Sequence, residues 1–193
     1  MQNRKHMKDF VIGLLRDALP DSYLYHNPEH TLYVIEKALE IGRHEKCTGD
    51  ELDFIAMAAL WHDTGYIKTY NGHEEESCRM ARHYLPEFGY PDEYITAICD
   101  MIMATKIPQK PKNKLEEILA DADLEYIGTN EFEVKSDALY KELQSVRPLY
   151  TEAEWSQTQI SFLQEHHYFT PYCQETKQPI KTNHLLKLKA GLG

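Results

Sequence analysis

Three short segments carry side chains able to hold a metal ion: His26 and His30 in YHNPEH, His62 and Asp63 in LWHDTGY, and Asp121 and Asp123 in ILADADLEYIG. Singly each is ordinary, since a histidine on an apolar face is usually core and an aspartate near a helix end is usually a cap. Their conjunction is not. An inward His-Asp pair needs a cationic partner, because an unpaired buried carboxylate costs several kcal/mol. Two imidazoles and two carboxylates form a mixed N/O donor set, which suits Mn, Fe, Co, Ni, Zn or Mg and disfavours the soft metals held by thiolates. A divalent metal ion is therefore expected, its identity open.

The elements that must position these residues read as helices throughout, with no run of alternating β-branched residues. The expected fold is all-α, a single-domain helical bundle over 1–193 with about 7–9 helices. Met7, Phe10, Val11, Leu14 and Leu15 make one apolar stripe on a first helix over 4–18. Asn27-Pro28 supplies an N-cap and a first-position proline, opening a second helix that ends at Gly42 and placing His30 in its first turn. Thr48 and Glu51 form a capping box ahead of a third helix. Its face of Leu52, Ile55, Ala59 and His62 continues until Gly65.

Glu74, Glu75 and Glu76 suit the positive end of a fourth helix, stopped by Pro86 and Gly89, and Pro91 opens a fifth through Thr105. KIPQKPKNK, residues 106–114, is an extended connection. A sixth helix is expected over 114–128, a seventh from Asn130, an eighth after the Thr151/Glu154 capping box, and a short ninth after Pro179. The motif-bearing core spans 20–130, with the helices of 131–193 packed on it.

Composition excludes other classes. The 31 acidic against 21 basic residues give a formal charge of −10, without the basic footprint that a nucleic-acid polymer requires. That charge opposes anionic membranes, and no apolar stretch reaches the roughly 20 residues of a spanning helix. The start, MQNRKHMK and FVIGLL, lacks the cleavage site of a signal peptide. Four cysteines, without a CxxC pair, read as reduced packing thiols of a cytoplasmic protein.

The order His30, His62-Asp63, Asp123 resembles the HD superfamily of metal-dependent phosphohydrolases, and YHNPEHTLYV is similar to the YHNxxHxxxV signature of cyclic-nucleotide phosphodiesterases, which share that helical core. The resemblance covers roughly residues 20 to 130. It implies that His30, His62, Asp63 and Asp123 bind the metal and that His26 donates a proton to the leaving group. Asp63 then counts among the catalytic residues as well as the ligands. On a helical wheel Asp123 lies about 65° from the apolar direction near 15° and Asp121 about 135°, which favours Asp123. The comparable Asp-Leu-Ser run of phosphodiesterases agrees. Asp121 becomes an outer residue at the first or a second metal, or a surface residue.

A bound cation would lower the pKa of water from about 15.7 toward 7 and polarise a phosphoryl oxygen. The implied substrate is a phosphomonoester or phosphodiester, expected to be a nucleotide. Lys106, Lys110, Lys112 and Lys114 are candidates to hold its phosphate. Many two-metal relatives add further histidines between the HD dyad and the last Asp, and this chain has only His73 and His83 there, so a mononuclear site is expected. His73 follows a turn and could reach the centre or a second metal bridged by Asp63, whereas His83 belongs to a solvated face. Where relatives often carry another His near the end of the fifth helix, this chain reads MIMATKIP, so that role is missing or passes to Thr105. His166 and His167 are read as structural. Two rival readings remain, a non-catalytic metal- or nucleotide-binding regulatory module and an HD-fold di-iron oxygenase; a homodimer is left open.

Overall fold

A computed structural model describes residues 2–146 and 151–191, with side chains from residue 5. Ten α-helices and no strand occur among them: α1 (Gln2–Ala18), α2 (Pro28–His44), α3 (Gly49–Trp61), α4 (His73–Tyr84), α5 (Asp92–Ala104), α6 (Lys114–Asp123), α7 (Phe132–Val146), α8 (Glu152–Glu165), α9 (Pro171–Thr176) and α10 (Gln178–Gly191). The expected all-α class holds, with one helix more than the expected range. The extra helix arises because Thr170 caps a helix at Pro171, accepting from the Cys173 N–H, ahead of the one around Pro179.

The core forms where α2, α3, α5 and α6 pack face to face. Val34, Ala38 and Ile41 of α2 meet Ile55, Ala58 and Ala59 of α3, while Ile98, Ile102, Ile118 and Leu119 close the layer. Each fully buried Val, Ile or Leu contributes roughly 1.5–3 kcal/mol, so this face fixes the phase of the helices and aims their polar ends at one another. The helix α10 packs on α8 and α9 and on the 3-10 turn at Glu125–Gly128.

Four expected boundaries move. Helix α2 passes through Gly42 to His44 and turns at Lys46, whose φ is 58°. Gly42 is an approach position rather than a stop, since a Cβ there would lie 2.7 Å from Leu52 Cδ2. Helix α3 ends at Trp61, before His62, and the sixth helix stops at Asp123, where a 3-10 turn follows. Both shortened ends carry the candidate ligands, so these side chains point out of helix termini. The seventh helix begins at Phe132 rather than Asn130.

Candidate metal centre

Four termini converge. The Asn27 side chain accepts the His30 N–H (3.0 Å) and caps α2, which turns the His30 imidazole inward. His62 is fully buried at the end of α3, and its Nδ1 donates to the Ala59 carbonyl at 2.8 Å. That bond commits the Nδ1 proton, so the neutral ring would present its Nε2 lone pair to a cation at the centre. Asp63 follows directly, and Asp123 closes α6.

His30 Nε2 lies 3.3 Å from Asp63 Oδ2 and 3.2 Å from Asp123 Oδ1; His62 Nε2 lies 3.1 Å and 3.4 Å from the same two oxygens. Nitrogen and oxygen ligands about 2.0–2.2 Å from a common ion have neighbours at about these separations. One donor atom each from His30, His62 and Asp123 lies within 4.8 Å of the others. His62 Nε2 and Asp63 Oδ2 are buried and, although 3.1 Å apart, neither has a hydrogen-bond partner. Orphaned buried polar atoms cost about 1–3 kcal/mol each, more when charged, and a cation among them removes that cost. The donor set thus fits a divalent metal.

The electrostatics agree. Burial lowers the pKa of His30 and His62, but the facing carboxylates outweigh it and raise both. Burial conversely raises Asp63 and Asp123, and the two imidazoles hold both below the usual carboxylate range.

His73 reaches the centre from α4. Its Nε2 lies 3.6 Å from Asp63 Oδ1, the other oxygen of that carboxylate, and 3.6 Å from Glu74 Oε1. The approach depends on Gly65, where a Cβ would stand 2.0 Å from the His73 carbonyl oxygen. The Gly65 N–H also donates to Ser77 Oγ at 2.8 Å, which pins α4 to the turn after Asp63.

His26 lies just outside. Its ring is 5.8 Å from that of His30, and Tyr66 stacks between His26 and His73 at 4.1 and 3.9 Å. The Tyr66 hydroxyl is 3.0 Å from His26 Nε2. Burial and then the charge of Asp63 push Tyr66 well above its ordinary pKa, so it stays a neutral hydroxyl.

Sequence reasoning missed Glu142. Its wholly buried carboxylate, on α7, bonds His26 Nδ1, accepts the backbone N–H of Tyr25 (2.8 Å) and His26 (2.9 Å), and accepts the Tyr70 hydroxyl (3.1 Å). Its signal was faint: one acid in a helix rich in acids.

The remaining candidates lie elsewhere. Asp121 turns away and accepts Phe169 N–H, Thr170 N–H and the Thr170 hydroxyl at 2.7–2.9 Å. It ties the segment before α9 to α6. Lys106 is exposed and pairs with Glu75, Lys110 is exposed, and Lys114 pairs with Glu51. None of the lysines proposed to hold phosphate lines the cavity at the centre, whose rim in that segment is Thr105 and Ile107. Prolines 108 and 111 keep the segment extended, and its lysines face solvent. The Thr105 hydroxyl donates to the Ile102 carbonyl. His166 sits beside Lys181, and His83 is exposed.

The family model of the HD domain matches residues 28–125, just over half of the chain. This chain belongs to the HD domain family. A similar solved structure is the crystal structure of a predicted HD superfamily hydrolase from an uncultured Thermotogales bacterium, at TM-score 0.58 and 23% identity over 96% of this chain and 92% of that one. At that identity the likeness shows a shared fold. No curated protein matches this HD domain chain. No described helix is long and apolar enough to cross a membrane. Glu142 lies beyond the matched segment, so α7 adds to the HD core a group that the family match does not contain.

Proposed function

We propose that this protein is a divalent-metal-dependent hydrolase of phosphate esters, with His30, His62, Asp63 and Asp123 holding the ion and His26 donating a proton to the departing oxygen. The observation that carries the reading is the convergence of two imidazoles and two carboxylates around buried atoms lacking hydrogen-bond partners. The HD family membership and the name of the Thermotogales protein support a hydrolase. A bound divalent ion supplies Lewis acidity and a water of lowered pKa. In ester hydrolysis a water oxygen bonds to phosphorus, the bond to the ester oxygen breaks, and the alcohol leaves with a proton.

The chain's own contribution is orientation. Glu142 on Nδ1 fixes the His26 ring, with its other nitrogen beside the Tyr66 hydroxyl at the cavity wall, from which a proton could pass to the departing oxygen. Nucleotides are the substrates that the sequence resemblance suggests. Four cysteines free of disulfides support a cytoplasmic setting.

A second reading concerns stoichiometry. Asp63 offers Oδ2 to His30 and His62 and Oδ1 to His73, and Glu74 stands beside His73. The 3.6 Å separations at His73 are longer than the ones among His30, His62, Asp63 and Asp123, so a single ion is the proposed stoichiometry and a second cation beside His73 is the rival outcome of the metal count.

The test is metal content by mass spectrometry for wild type, His62→Ala, Asp123→Ala and His73→Ala, with phosphate release from an ester panel after adding back Mn, Mg, Ni or Fe. One equivalent lost in the first two variants, with turnover, supports the hydrolase; two equivalents falling to one in His73→Ala supports the bridged pair. No metal under any loading overturns both.

A further inference from the structure

The cavity beside the metal centre, about 330 Å³, has two unlike ends. One is formed by His26, Asp63, His73, Glu74 and Asp123. The other is walled by Phe132, Leu139 and Leu143 of α7 and Trp155, Phe162 and Leu163 of α8. Polar groups are sparse at that end, and two of them satisfy each other, the Gln159 amide donating to Ser136 Oγ. A ribose with its hydroxyls would face mostly carbon there, whereas an apolar body would displace water from apolar walls.

Charge sets the other limit. No lysine or arginine lines the cavity among the described residues. Lys106, between two lining residues, is exposed and engaged by Glu75. Three carboxylates, those of Asp63, Glu74 and Asp123, line the polar end; one divalent cation offsets two of them. One phosphate can be held through the cation, but a second or third would meet Glu74 with no cationic side chain opposite. The volume sits at the low end for small-molecule sites, which suits a body of one or two rings rather than a long lipid.

We propose that the substrate is a monophosphate ester of a compact apolar alcohol, its phosphate at the metal centre and its body against the α7–α8 wall, and that nucleoside polyphosphates are excluded. The products are that alcohol and inorganic phosphate. This rests on the phosphate-ester reading above, and the experiment separates the two.

The metal-loaded protein is assayed with 1-naphthyl phosphate, AMP and ATP, and 1-naphthol binding is measured by calorimetry in wild type, Leu143→Glu and Leu143→Ala, alongside metal content. The expected result is a kcat/KM for naphthyl phosphate at least tenfold above AMP and a hundredfold above ATP. Naphthol affinity should fall at least tenfold in Leu143→Glu and several-fold in Leu143→Ala, the milder variant retained should the glutamate not fold, with metal content unchanged. Preference for AMP or ATP, or naphthol affinity equal in wild type and Leu143→Ala, overturns the inference and leaves the hydrolase standing. Naphthol binding that depends on Leu143, with no phosphate released from any ester, overturns the phosphate-ester chemistry and leaves an apolar-ligand site.

Discussion

Glu142→Gln separates a proton donor held in place from a histidine that merely lies nearby. The carboxylate bonds four groups, the N–H of Tyr25 and of His26, the Tyr70 hydroxyl and His26 Nδ1. Glutamine keeps the shape and one oxygen, but removes the charge and turns an NH2 toward at least one donor. Hydrogen bonds to charged groups contribute roughly 1.5–3 kcal/mol against 0.5–1.5 for neutral pairs. Losing that assistance at three bonds and reversing one costs about 2–4 kcal/mol, within the 5–15 kcal/mol typical of a folded domain.

The kinetic effect is separate. A glutamine no longer holds His26 Nδ1 through a carboxylate, and general acid catalysis contributes about 10²–10⁴-fold. Turnover of an alkyl phosphate, a poor leaving group, should fall about a hundredfold on that basis, while 4-nitrophenyl phosphate, whose leaving group needs no proton, stays within a few-fold. There is also a pH signature. Burial raises Glu142, but the bond and charge of His26 outweigh it and hold the carboxyl below its ordinary value of 4.5. Its stabilisation is complete above that value and is lost as pH falls through the folded-state pKa, so Glu142→Gln should flatten the acid side of the stability curve. Equal losses on both esters, or none on either, at full metal content would refute the reasoning.

Gly65→Ala puts a methyl 2.0 Å from the His73 carbonyl oxygen and 2.8 Å from the Ser77 nitrogen; both are backbone, so a cost at or above the upper end of about 1–3 kcal/mol is expected. The thermal midpoint should drop by roughly 6 °C or more; a melt matching wild type would show that α4 yields freely. Asp121→Asn should lose about 1–3 kcal/mol through the Phe169 and Thr170 contacts with metal content intact, and metal loss would instead return Asp121 to the centre. Lys181 is almost wholly buried, and burial lowers its pKa from 10.5 to about 8. Between those values the unfolded chain holds the proton that the folded chain has released, so stability rises with pH across this window. Lys181→Met should abolish that rise in urea midpoints taken from pH 7 to 10.5; an unchanged slope would assign it to other groups.

What the sequence disclosed follows from the range of each signal. Asn27-Pro28 and the Thr48/Glu51 box act within one turn, and both caps form as read. Helical phase separated Asp121 from Asp123, and Asp123 is the one that meets His30. Long-range contacts left less trace. Glu142 bonds His26 across more than a hundred residues, and nothing in YKELQ marks its glutamate as the buried one. Gly65 looked like a helix terminator, whereas its reason is the close approach of the α4 backbone at His73 and Ser77, which only a folded chain reveals. The lysines of 106–114 looked like a phosphate site by count, but solvent exposure and the Glu75 and Glu51 pairs spend their charge elsewhere.

Chemistry and selection then meet on a single helix. Glu142 and Leu143 are consecutive on α7, and consecutive helical residues point about 100° apart; the first faces the backbone of Tyr25 and His26, the second the cavity. The two should therefore separate experimentally. Glu142→Gln is expected to change the dependence of turnover on the leaving group while 1-naphthol affinity stays within twofold, and Leu143→Ala to weaken naphthol binding while that dependence is unchanged. The double variant should show both effects independently, since neither side chain shares a hydrogen-bond partner with the other. If Glu142→Gln instead weakened naphthol binding as much as Leu143→Ala, α7 would be shifting as a whole, and the carboxylate would be a packing element of the cavity wall rather than the group that orients His26.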